Sequence, residues 1–128
     1  MVRSNAARRV VIGVTAAVFT ALALRALVNP HGTAAHLGYR LDNVDALNEF
    51  RAVYVGLWLA TAVLLVMAAR RVDEPILGDL GALLVAGQVF GRVVSLLLDG
   101  PPTARLWPIW GLETLGAAAL FLVRPQRR

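Results

Sequence analysis

Gln88-Val89-Phe90-Gly91-Arg92-Val93-Val94-Ser95-Leu96-Leu97-Leu98-Asp99-Gly100 is the stretch that decides how this chain is read. Gln88, Arg92, Ser95 and Asp99 fall at i, i+4, i+7 and i+11, which on a helix makes one polar stripe down an otherwise apolar rod. A soluble helix hides a narrow apolar stripe and shows a wide polar face. Here the apolar face is the wide one, so the polar stripe is what the protein interior receives. The stretch therefore implies a helix standing in lipid with its polar side turned toward its neighbours.

Composition agrees. Of 128 residues, 58% are hydrophobic and 16% are charged, and the mean hydropathy is +0.64. An ordinary soluble domain carries about 25% charged residues. The net charge of +5 comes from arginine, with no lysine in the chain. Nucleic-acid binding is excluded because the arginines sit at segment ends or singly inside apolar runs, with no basic face carrying interleaved aromatics. A lysine-free chain rich in Ala, Gly, Val and Arg points to a GC-rich bacterial genome. The absence of cysteine removes disulfides, thiolate metal sites and redox centres. No phosphate loop or nucleophile motif is present, and no cofactor is expected.

Outward from the opening stretch, the pattern predicts an all-α fold, an integral membrane four-helix bundle forming one domain over 1–128. Its helices lie at about 8–28, 46–69, 76–98 and 104–123, each close to the roughly 20 apolar residues that cross a bilayer. Arg3, Arg8 and Arg9 precede the first run. A secretory signal with cleavage near Ala21-Leu22-Ala23 is the competing reading, but the run is long for a signal core and Arg25 follows it directly. Asn29-Pro30-His31-Gly32 stops helix one, and 30–44 reads as a loop holding both histidines. His31 and His36 could join Asp42 or Asp45 around a metal, but five-residue spacing in a Gly-containing loop sets no ligand geometry, so solvated histidines and no metal are expected. Asp42 or Asp45 is the expected N-cap of the next helix. Arg70 to Pro75 is a polar turn, and Gly100-Pro101-Pro102 ends the third helix. Trp107 and Trp110 read as interfacial anchors.

Arginines at the span ends set an orientation. Arg3, Arg8, Arg9, Arg70, Arg71, Arg124, Arg127 and Arg128 fall on one side, against Arg40, Arg51 and Arg105 on the other, so both termini are expected in the cytoplasm of a bacterial inner membrane. Arg92 then lies seven residues before Asp99 and Glu113 seven residues after Leu106, each about 10 Å from the same outer end. Arg25, Asn48, Glu49 and Arg51 belong to that outer half as well. A lone charge at such depth costs roughly 2.5–3.5 kcal/mol, and pairing Arg92 with Glu113 removes most of the cost. Such a pair could be purely architectural, setting helix register, or could floor a pocket. Gly87 and Gly91 on the third helix, and Gly111, Gly116, Ala117 and Ala118 on the fourth, read as small-residue faces for close helix approach. On helix two, Glu49, Gly56 and Ala60 share one face and Arg51, Tyr54 and Trp58 another, which makes Glu49 the expected interior acid. Tyr54 and Trp58 could wall an apolar pocket with a polar floor.

Asn48-Glu49-Phe50-Arg51-Ala52-Val53-Tyr54, then Gly91-Arg92-Val93-Val94-Ser95-Leu96 and Asp99-Gly100-Pro101, with Glu113 in the last helix, resembles the DUF4345 family, small bacterial four-helix membrane proteins grouped as a domain of unknown function. The resemblance covers helices two to four. It implies the four-span architecture and a shared polar set of Asn48, Glu49, Arg51, Arg92, Ser95, Asp99 and Glu113. The family's Gly-Gly after the tyrosine stands here as Val55-Gly56, and the resemblance implies no reaction.

Three function classes follow. The first is a membrane protein that binds a lipid-like or small amphiphilic molecule, or serves as an accessory subunit of a larger membrane complex or homo-oligomer. Asn48, Arg51, Tyr54, Trp58, Gln88, Ser95 and Asp99 are its expected ligand contacts. The alternative is a cofactor-independent membrane enzyme, an isomerase or hydrolase of an apolar substrate, with Glu113 or Glu49 as acid or base and Arg92 as electrostatic stabiliser. A proton-coupled exporter ranks last, because the small four-helix exporters it would resemble carry their glutamate in helix one, which here has no acid.

Overall fold

Asn29-Pro30 both ends one helix and begins another. In the computed structural model, which describes residues 4–124, the Asn29 side chain accepts a hydrogen bond from the Gly32 amide (3.0 Å). Pro30 takes the first helical position, where its missing N–H costs nothing. The described chain thus has five helices and not four: α1 Asn5–Val28, α2 Pro30–Leu37, α3 Val44–Arg70, α4 Pro75–Asp99 and α5 Trp107–Leu122. The expected loop at 30–44 holds α2, which ends at Gly38 in the left-handed conformation (φ 88°) that glycine adopts without a Cβ clash. The N-cap of α3 is Asn43, whose side chain accepts from the Ala46 amide (2.8 Å), in place of Asp42 or Asp45. Arg3, Arg127 and Arg128, counted for orientation, lie outside the described residues.

The core is built from α1 set against α3. Ile12, Ala16, Phe19 and Ala23 meet Trp58, Ala62, Leu65 and Ala68, and Ala82, Val85, Ala117 and Leu120 complete the cluster from α4 and α5. Packing runs α1 on α3, α3 on α4 and α4 on α5. The expected close approach at Gly87, Gly91 and Gly111 is not made, since a Cβ on any of them would meet open space. Close approach occurs one to three turns earlier on α4, where a Cβ on Gly81 would come within 2.6 Å of Leu65 and one on Gly78 within 2.6 Å of the Arg8 guanidinium. Those glycines face α3 and α1, whereas Gly87 and Gly91 lie on the outward side.

At one end of the molecule Arg8 donates to the carbonyls of Val72 and Pro75 and is 4% exposed. Arg9 donates to Ala69 O (3.1 Å), and Arg124 pairs with Asp79 (2.7 Å). Asp79 thus ties α4 to the end of α5, well away from Arg92 and Glu113. At the opposite end Arg105 donates to Ala35 O (3.2 Å), joining the α4–α5 connection to α2. Large apolar side chains point outward all round, Val28, Leu83, Phe90, Leu97, Leu98 and Leu115 among them. Three helices, α1, α3 and α4, are long and apolar enough to cross a membrane, and α5 is shorter at 16 residues.

Candidate functional site

The helix order leaves a seam. α1 and α5 are the two ends of the packing sequence and touch only sparsely. Between them runs a cleft of about 450 Å³, within the 300–1,000 Å³ usual for small-molecule sites. Its α1 wall extends from Val10 to Arg25, about 22 Å at 1.5 Å per residue. Val14, Val18, Leu112 and Leu115 make the sides apolar, and the polar groups gather toward the end that holds Arg25 and α2.

Arg92 and Glu113 stand together on the cleft wall. The guanidinium engages the carboxylate with two parallel hydrogen bonds, Nη2 to Oε1 at 2.7 Å and Nε to Oε2, the fork geometry that makes such pairs strong. Their side chains are 27% and 12% exposed. Both carboxylate oxygens are engaged by Arg92, so Glu113 is fixed in orientation. Arg92 has five N–H groups and uses two here, which leaves three. Gln88, one turn before Arg92 on α4, also lines the cleft.

The floor comes from Tyr54 and Trp58 of α3. Phe50, buried behind them, stacks on Tyr54 with ring centroids 4.5 Å apart, and Tyr54 meets Trp58 edge-on at 4.9 Å. Steps of four residues on an α-helix rotate about 40° past a full turn, so Phe50 and Trp58 would diverge by about 80°. Residues Ala52–Leu57 are instead wound as a π-helix, and this wider turn keeps the three rings on one side. The side of α3 that packs inward is not the one expected for Glu49. With Tyr54 and Trp58 turned inward, Glu49, Arg51, Gly56 and Ala60 are exposed, and Glu49 does not reach the cleft. Asn48 is exposed beside it, and neither it nor Arg51 lines the cleft. Ser95 donates to Asp99 (3.1 Å) at the exposed end of α4, outside the cleft. Of the expected site residues, Arg92, Glu113, Gln88, Tyr54 and Trp58 meet around one space, while Asn48, Glu49, Arg51, Ser95 and Asp99 do not.

The cleft also contains groups from the segment expected as a loop, which is the helix α2. Thr33 and His36 on α2 line it, as does Tyr39 just beyond, whose hydroxyl accepts from the Tyr54 hydroxyl (2.9 Å). The signal for them was Asn29-Pro30 read as a start. Thr33, His36 and Leu37 then fall at i, i+3 and i+4, one face of a helix.

The family model for a domain of unknown function matches residues 7–124. No curated protein and no solved structure matches the chain.

Proposed function

With membership of that family, DUF4345, to which the chain belongs, as premise, we propose that the protein is a multi-pass membrane protein whose α1–α5 cleft binds a lipid-like amphiphile. The observation that carries this reading is the form of the cleft, a long apolar trough with Arg92, Glu113 and the Tyr54–Tyr39 pair at one end. Its length of about 22 Å exceeds half the roughly 30 Å hydrocarbon core, enough for one tail in one leaflet with its head beside the polar groups. The enzyme reading loses Glu49, which leaves Glu113 as the one acid among the described cleft-lining residues, held at both oxygens by Arg92.

The setting is a bacterial cytoplasmic membrane with both termini inside. The arginine distribution along the chain supports that orientation. α1, α3 and α4 cross outright. α5, 16 residues and about 24 Å long, crosses with the help of Trp107 and Trp110, which stack with centroids 5.1 Å apart near its start. Reporter fusions after Arg124 and within 38–43 should give cytoplasmic and external signals respectively. The reverse pattern would contradict the orientation.

Val14 is 59% exposed at the mouth of the cleft, so Val14→Trp places an indole in the trough without overfilling the core. A surface change of this kind shifts stability by about 0.5 kcal/mol or less. Native mass spectrometry of protein released from membranes in neutral detergent should show a retained amphiphile on the wild type and its loss on Val14→Trp. Equal retention by both would place the ligand elsewhere and sink the cleft reading.

A further inference from the structure

We infer that the amphiphile taken by this cleft carries an anionic headgroup, a carboxylate or phosphate drawn from the membrane, received between Arg25 and Arg92. The inference rests on the cleft-binding reading and extends it to the chemistry of the head.

Two guanidiniums, Arg25 and Arg92, line the cleft against one carboxylate, Glu113, so these three side chains leave a net positive charge there. Glu113 is spent on Arg92. The Arg25 side chain pairs with no acid among the described residues, although it stands at the polar end of the trough. A cationic head would meet this surplus as repulsion, and a neutral head would leave it uncompensated.

The cleft offers free donors as well. Arg92 keeps three N–H groups beyond those given to Glu113. The Tyr54 hydroxyl donates to Tyr39, so the Tyr39 oxygen is the acceptor in that pair and its own proton is free for a further acceptor. Carboxylate and phosphate oxygens are acceptors, and bonds from charged donors to them are the strong class. The tail then lies along Val18, Val14 and Leu115, away from the charges.

The test is a competition read by native mass spectrometry in neutral detergent. Protein is incubated with equal amounts of hexadecanoate and hexadecanol, which share a tail and differ in the charge of the head. The hexadecanoate adduct should exceed the hexadecanol adduct by about tenfold, the ratio that a 1.4 kcal/mol preference produces. Arg25→Gln should bring the ratio toward one, and the fold should survive because Arg25 is exposed and makes no side-chain bond among the described residues. Arg40→Gln, altering a side chain 86% exposed and outside the cleft, should leave the ratio unchanged. Equal adducts on the wild type would overturn the anionic head while leaving the cleft in place. No adduct of either compound would overturn the cleft reading itself, and an unchanged preference in Arg25→Gln would remove Arg25 from the site.

Discussion

Arg92→Met and Glu113→Gln should each destabilise the protein by about 2–4 kcal/mol, between the 0–1 kcal/mol of an exposed pair and the 3–5 kcal/mol lost when one partner of a buried pair is removed. The intermediate value follows from side chains 27% and 12% exposed. Each single change strands the other group in a poorly solvated wall, and removing both leaves nothing stranded. The double variant should therefore lose less than the sum, by about 1 kcal/mol or more. Unfolding of all four proteins in the same detergent measures that coupling, and additive losses would mean that the two groups act independently. The cycle concerns architecture alone. Function is separated by Arg92→Lys, which retains a cation but not the fork, and which should weaken amphiphile retention more than it weakens the fold.

The second large effect is expected at Arg8. Arg8→Leu should cost about 1–3 kcal/mol, because it leaves the Val72 carbonyl without its donor in a buried place, while the long, part-buried contact to the Pro75 carbonyl (3.5 Å) adds little. Arg9→Leu should cost about 1 kcal/mol or less, since Arg9 is exposed and gives up a single bond to Ala69 O. Thermal unfolding of the two variants side by side distinguishes an arginine that closes the α3–α4 turn from one that flanks a span. Equal losses would contradict the structural role of Arg8.

Arg8 also shows what sequence reading could not reach. In the sequence it is one of a cluster of basic residues before an apolar run, the usual flank of a membrane segment. Its burial depends on Gly78, seventy residues on, which leaves room for the guanidinium. Arg92 and Glu113 were legible for the opposite reason. Both lie on regularly wound helices, so a rise of 1.5 Å per residue matched their depths, and opposite charge supplied the motive to pair. Glu49 was misplaced because small residue size pointed the Glu49, Gly56 and Ala60 face inward, whereas that face is exposed and the aromatic face of Tyr54 and Trp58 is the one that packs into the core. α2 was missed because Asn29-Pro30 was read only as a stop, and with it went Thr33, His36 and the polar end of the cleft. The broad class was legible from composition, because an outward apolar surface is a property of residue content and needs no register.

A high-resolution density map of the protein in lipid nanodiscs, read for non-protein density between α1 and α5, tests amphiphile binding in the cleft most directly. The expected result is an elongated feature along Val14, Val18 and Leu115, ending beside Arg25 and Arg92. A closed seam, with α1 packed directly on α5 and the Arg92–Glu113 pair sealed from any ligand, would contradict it.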